Sequence, residues 1–537
     1  MMRVCQRLFV LFLCLIPLPV TAFDGQADLA QATQLKITAE SLDELGEVIN
    51  LCQRAIDKGL TGDEATFAKQ LLASTLTQRG LAITEVIFAP ERPDARWQQM
   101  RRLALADLER SLRAEAKQPQ VHIALAKLQA LPGGNVDHVM AALDEAVKLS
   151  VDDPDTRVEA LMMRAGLRES VSDRIGDLDL AIEAKPTDPQ PLRARGALHL
   201  AQENGAKALA DFDAAIKLEP NHALTHEARG AALAILDRLE DSRAAYAKAI
   251  ELEPKASSAR MQRAQVALLE EKFAEAISDA TKILEADDEN HAVRLLRAQA
   301  YLRNDQPSEA LADVNQVLKA RPGVPPALRL RAQIHASQKK VDQAIADLRE
   351  IVRRDPDDLE TLFQIAVLYR GQKNFGRALA LFDELLEKQP EAWFVRYGRA
   401  DAYLSLGKHR EALRDYDAAL KQQPKDSGLL NNLAWLLATS PEASVRNGKR
   451  AIELATQACE ITEFKAAHIL STLAAAYAES GDFATAKKWS QKALELCSPD
   501  LKSNLAKELA SYEAGKPWRE LLQEDQEVTQ KSGTTKR

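Results

Sequence analysis

Small, apolar and polar residues follow a long-range rhythm along this chain. In residues 393–426, Ala400 and Tyr403 fall on the inner face of a first helix and Gly407 makes a turn. Ala412, Tyr416 and Ala419 face back from a second helix that Pro424 ends. Small residues at Ala400, Ala412 and Ala419 let the two helices approach closely, and Tyr403 and Tyr416 fill the space left over. The same 34-residue frame fits 189–222, 223–256, 257–290, 291–324, 325–358 and 359–392. Its closing slots hold Pro186, Pro220, Pro254, Pro322, Pro356, Pro390 and Pro424, with Asp288 in the one that lacks proline. A period of this length predicts helical hairpins. Each is unable to bury its apolar face alone, so they stack into an array.

The edges keep the pattern less strictly. Residues 155–188 retain Pro186 with a turn about three residues short. Residues 427–466 carry five extra residues in the turn, SPEASVRNGK, and 467–500 return to pattern with Ala474, Tyr477, Gly481 and Ala486. Residues 23–154 are a helical region of degenerate units. Within it, 41–58 predict one amphipathic helix, 62–119 a longer hairpin around the loop APERPD, and 120–154 further helical periodicity. Residues 501–524 suit a polar capping helix, which an array end needs for solubility, and 525–537 a disordered tail.

These Tyr, Ala, Phe and Pro offsets resemble the tetratricopeptide repeat (TPR) family. The resemblance covers 155–500 firmly and 41–154 loosely. It implies an all-α fold, a right-handed α-α superhelix, and a non-catalytic scaffold that takes a protein or peptide partner on its concave face. In that family, positions 2, 5, 6, 9, 12 and 13 of the first helix line the concave face. Most units place bland residues there, such as Ala228, Ala231 and Ala234. The stretch 359–439 presents Phe363, Phe394, Tyr397, Asp401, Asn431, Asn432 and Trp435 instead. Aromatics beside side-chain amides suit an extended peptide, giving apolar area to its side chains and paired donor and acceptor to its backbone. The alternative is that some of these aromatics pack between units. Two known modes of the family fit poorly. For the two-carboxylate clamp, Arg329, Gln333 and Gln364 match the first half loosely, while Phe394 and Gly398 fail the second. For the asparagine ladder, Asn432 is the single match.

The repeats also serve as their own alignment. Arg195, Arg229, Arg263, Arg297, Arg331 and Arg399 share one slot, and Asp211, Asp279, Asp313, Asp347 and Asp415 stand sixteen residues after five of them. Arg229 has Ala245 opposite, while Ile365 and Leu433 are matched by Leu381 and Leu454. Arg164 and Asp177 repeat the pairing across the shorter turn. Arginine and aspartate come and go together, which predicts ion pairs tying helix to helix rather than a basic ladder for an anionic ligand.

Composition narrows the function. The segment MMRVCQRLFVLFLCLIPLPVTA has a basic start, an apolar run too short to span a membrane, and a small-residue cleavage site before Phe23. It predicts export to a periplasmic or extracellular space, with no direct membrane insertion. Net charge is −8, and removing Arg3 and Arg7 leaves −8 − 2 = −10, which argues against nucleic acid. Cys52, Cys459 and Cys497 remain after cleavage, an odd number that argues against a disulfide framework; a Cys459–Cys497 bridge is the one geometry worth checking. His222 and His226 have a ligand-like spacing without a third partner, and they suit a helix start better than a metal. No catalytic motif stands out, no cofactor is expected, and nearly every segment is spent on a repeat. The alternatives to a peptide-binding scaffold are a scaffold for envelope or exopolysaccharide export and, more remotely, an enzyme.

Overall fold

The computed structural model describes residues 24–89 and 96–520. The signal segment, the APERPD loop beyond Ala89 and the tail at 525–537 lie outside the described residues. Among the described residues there are 27 helices and no strand. The chain divides into two units, Met1–Glu270 and Glu271–Arg537.

Local chemistry sets the helix boundaries. Within a regular repeat a 13-residue helix is followed by a three-residue turn and a 14-residue helix, as in Pro189–Ala201 and Gly205–Leu218, or Trp393–Ser405 and His409–Gln422. The turn needs one residue with positive φ. Gly407 (φ 72) and Gly481 (φ 85) supply it without penalty, while Glu203, Asp237, Asp305, Lys339 and Lys373 adopt it as non-glycine residues at φ 56 to 60. The second helix stops where proline follows, because the residue before proline is pushed out of the helical region. Glu253 (φ −131, ψ 87) and Gln423 (φ −129, ψ 73) are examples. Asp287, before Asp288, takes φ −143 and ψ 89 with no proline present, so stacking imposes the same exit.

Packing within each unit follows the small residues. Gly196 and Gly230 face the rings of Phe212 and Tyr246, where an added Cβ would come within 2.8 Å. Ala400, Ala412 and Ala419 are fully buried around Tyr416. The core of unit Glu271–Arg537 is two clusters, one around Phe382 and Leu348 and one around Tyr416, Leu433 and Tyr512.

The N-terminal unit departs from the repeat length. Helix Leu42–Asp57 starts on a capping box between Ser41 and Glu44. A 26-residue helix, Gly62–Ile87, then pairs with Trp97–Ala114. A helix at Asp24–Thr38 packs ahead of them, Leu29 and Ala32 being buried. In residues 155–188 the turn itself has the usual length. The missing residues come from the first helix, which ends at Leu167, three residues after Arg164, and its cap Arg168 is extended rather than left-handed. Helix Lys502–Glu513 covers the C-terminal end. It stops at Glu513, and the chain continues to Glu520 without helix.

Cys52 and Cys459 are buried free thiols and Cys497 is a partly exposed one. Burial pushes the thiols of Cys52 and Cys459 up to about 11, so both stay protonated near neutral pH. Among the described residues no helix is long and apolar enough to cross a membrane.

Candidate functional site

The arginine slot is a ladder with two sets of rungs. Arg195 donates through Nε and Nη2 to Asp211 at 3.0 and 2.6 Å, Arg297 to Asp313 at 2.8 and 2.7 Å, Arg331 to Asp347 at 2.9 and 2.6 Å, and Arg399 to Asp415 at 2.7 and 2.8 Å. The remaining nitrogen of each reaches back sixteen residues into the preceding repeat, to Asp179, Thr281, Asn315 and Asp383 respectively. Arg229, facing Ala245, keeps the backward rung, to Asp213 at 2.6 Å. Arg263 and Asp279 belong to different units. Arg164 pairs with Asp177, and Arg79 with Asp107 across the long N-terminal hairpin at 2.7 and 2.9 Å. These guanidiniums are spent on coupling helix to helix and repeat to repeat. Their aspartates hold the guanidinium pKa of Arg195 and Arg399 above its ordinary value, against desolvation. Where the slot turns apolar, at Ile365, Arg349 of the preceding repeat donates to the Tyr369 hydroxyl instead.

The histidines also have local work. His222 caps its helix by accepting from Thr225 N, and His226 bonds the Pro220 carbonyl, as Arg260 and Arg396 do at the equivalent position for Pro254 and Pro390. Among the described residues no cluster of three His, Cys, Asp or Glu side chains is arranged to hold a metal ion.

The face lined by first helices in unit Glu271–Arg537 holds the residues expected to meet a partner, and the structure sorts them into three groups. Phe363 and Phe394 meet edge to face with ring centroids 5.0 Å apart, and Phe363 also reaches Phe382 in the core at 6.0 Å. Phe394 remains 39 % exposed beside the cleft-lining Phe363. Beside Phe363 an open cleft of about 360 Å³ is lined by Arg329, Gln333, Ala336, Gln364 and Val367. The cleft exists because Ala332 and Ala336 are short on one helix while Phe363 projects from the next. Its lining is mostly apolar, with the side-chain amides of Gln333 and Gln364 among it. Arg329 is held by Asp358 at 2.6 Å, so it does not present a free charge.

The second group is a polar network. The Asp401 carboxylate accepts from the Tyr416 hydroxyl at 2.6 Å and from Asn432 Nδ2 at 3.2 Å, and pairs with Arg370. Asn432 Nδ2 also donates to the Tyr397 hydroxyl at 3.1 Å, and Asn431 Nδ2 to Asn432 Oδ1 at 3.1 Å. Burial and the Asp401 charge push the Tyr397 hydroxyl up to about 12 and that of Tyr416 well above its ordinary value, so both stay protonated, Tyr416 as the donor to Asp401 and Tyr397 as an acceptor from Asn432. Tyr397 and Asp401 of one first helix therefore bind Asn432 of the next, and Arg370 of the one before joins them, so the network spans three repeats. The Asn431 side-chain oxygen, Oδ1, is left buried without a partner.

Trp435 stands apart from both. It packs against the C-terminal core cluster with Trp518, and its indole faces the Glu520 carboxyl. Phe363, Phe394 and Trp435 lie on first helices, where the repeat frame puts them. The sequence pattern does not single out Ala336 and Val367, which line the cleft and whose small apolar side chains give no signal, nor the contacts of residues 518–520.

The tetratricopeptide-repeat family model matches residues 193–252, 236–291, 295–358, 363–427 and 397–464, and a second model of the same repeat matches 467–500. No curated protein matches the chain. Among solved structures, the chain is similar to yeast Tom70 (17% identity, 87% of this chain and 98% of that chain, TM-score 0.42). It is also similar to YrrB, a TPR protein with an unusual peptide-binding site (23% identity, 34% and 95%, TM-score 0.29). A third likeness is to the C-terminal part of a TPR repeat-containing protein from Cytophaga hutchinsonii (17% identity, 45% and 97%, TM-score 0.38). The repeat matches together span more than half of the 537 residues and keep the frame set by the small residues and prolines, and the chain belongs to the tetratricopeptide-repeat family.

Proposed function

We propose that this chain is a non-catalytic scaffold that, once exported, binds an extended peptide or protein segment along the first-helix face between Arg329 and Phe394. The observation that carries this reading is the mostly apolar cleft beside Phe363, with Gln333 and Gln364 in its lining and the exposed Phe394 ring packed edge to face against Phe363. An apolar side chain of the partner fits the cleft, and the two amides offer donor and acceptor to its backbone. The neighbouring Arg370–Asp401–Tyr397–Asn432 network ties three successive first helices together and supports the cleft rather than contacting the partner.

The test is capture from an envelope extract by the immobilised full chain, compared with a Gln333→Ala, Phe394→Ala variant shown to be folded by circular dichroism. A partner that the variant loses supports the reading. A partner retained equally by both sinks the assignment of the cleft. N-terminal sequencing of the exported protein tests the location: Phe23 at the first cycle is expected, and an intact Met1 contradicts export.

A further inference from the structure

The long turn at 440–447 leaves carbonyls at the end of helix Ser427–Thr439 that a later stretch of the chain takes up. In a regular repeat the tight turn satisfies the last carbonyls of the first helix itself. Gly407 N donates to Leu404 O at 2.9 Å and Lys408 N to Tyr403 O at 2.9 Å. In the repeat with five extra residues this closure is lost. Asn447 N reaches Leu437 O at 2.9 Å, and the Ala438 and Thr439 carbonyls are left for other donors. The chain's own residues 518–520 supply them. Arg519 Nη1 donates to Ala438 O at 3.2 Å and Glu520 N to Thr439 O at 3.0 Å.

The side of this site is built too. Glu479, on the first helix of the next repeat, takes Arg519 on one oxygen at 2.5 Å and Arg446 of the long turn on the other at 3.0 Å. Arg446 also ties the turn together by donating to Ser440 O and Pro441 O at 2.9 and 3.0 Å. Trp518 packs against the C-terminal core cluster. The segment is therefore held the way a peptide ligand is held: one aromatic side chain in apolar surroundings, one arginine on a buried-side carboxylate, and backbone bonding to two open carbonyls.

We propose that the long turn, the end of helix Ser427–Thr439 and Glu479 form a docking site for an extended segment carrying a Trp-Arg pair, occupied in this structure by the chain's own residues 518–520. A partner segment with the same aromatic–arginine chemistry displaces them. The proposal rests on the reading of this chain as a peptide-binding scaffold, and it concerns a different place from the Phe363 cleft.

The probe is a fluorescein-labelled peptide of residues 514–520, AGKPWRE, titrated against the full chain. The wild type binds it weakly, because the tethered copy competes. The full-chain Trp518→Ala, Arg519→Ala variant binds it about 100-fold tighter, the order expected when an intramolecular competitor at millimolar effective concentration is removed. The same peptide with alanine in place of arginine gains nothing, and Glu479→Gln in the released variant abolishes the gain. A released variant that is folded yet does not bind the peptide overturns the proposal and leaves residues 518–520 as a fixed cap. If the released variant does not fold, hydrogen exchange on the wild type decides. Excess peptide should speed exchange of the Glu520 amide, and an unchanged rate overturns the proposal. Two copies joined through exchanged C-terminal segments would appear as a dimer in sedimentation of the wild type, and that also contradicts displacement by a partner. Phe394→Ala leaves probe binding unchanged, so failure here is separable from failure at the cleft.

Discussion

Replacing Arg399 by isoleucine tests whether the ladder is structural. The side chain of Asp415 is 7% exposed and that of Arg399 19%, and the pair is bidentate at 2.7 and 2.8 Å. Removing the guanidinium leaves Asp415 charged, largely buried and without its arginine. Breaking one side of a buried pair costs about 3 kcal/mol. The backward rung adds little, because the Asp383 side chain is 52% exposed and returns to water. The chain itself supplies the compensating change: Ile365 and Leu381 occupy the same two slots one repeat earlier. The double variant Arg399→Ile, Asp415→Leu should therefore lie within about 1 kcal/mol of wild type, since apolar replacement of a buried pair is often neutral. Urea unfolding followed by circular dichroism gives the overall values. Arrays open in segments, so hydrogen-exchange protection of Trp393–Ser405 and His409–Gln422 provides the local readout. The double variant must be more stable than the single. If the two changes simply add, arginine and aspartate are not coupled and the ladder argument fails.

Two further outcomes follow from local geometry. Lys373 sits at φ 59 in the slot where Gly407 sits at φ 72, so Lys373→Gly should stabilise and Gly407→Ala destabilise by about 1 kcal/mol each, read from unfolding midpoints; changes of the same sign would contradict the turn account. Burial raises the Glu508 carboxyl above its ordinary value, with the Ser471 hydroxyl opposing it. The folded state then holds a proton that the unfolded state has lost, so stability falls as pH climbs from the ordinary glutamate range through the raised folded value. Glu508→Gln should raise the melting temperature at about pH 8 more than at about pH 5, and an equal shift at both would show that charge is not the cause.

Register and pairing were legible because they repeat. Proline, alanine and tyrosine mark the hairpin at every 34 residues, and the Arg–Asp covariation within one chain places two side chains in contact without any structure. What was not legible has a common origin in departures from the period. Arg79 and Asp107 form the same pair as Arg399 and Asp415, but 28 residues apart instead of 16, so the frame passed over them. The shortening at 155–188 looked like a clipped turn, while the backbone takes it from the end of helix Pro154–Leu167. Helix Asp24–Thr38 mixes glutamine, threonine and alanine and offers no clean apolar stripe. On the candidate face, position alone identifies residues that can meet a ligand. It does not reveal that Tyr397, Asp401 and Asn432 have already found one another. The five-residue insertion was visible, but its consequence, two open carbonyls taken up by Arg519 and Glu520, depends on where the chain goes after its last helix.

The most direct test of the peptide-scaffold reading is site-specific photo-crosslinking of the full chain in its native extract. One probe replaces Val367 inside the cleft, and a second replaces Arg353, whose side chain is 72% exposed on a second helix. The account predicts a discrete crosslinked partner from 367 and none from 353. A partner trapped at 353 and absent at 367 would place recognition on the opposite face and contradict it.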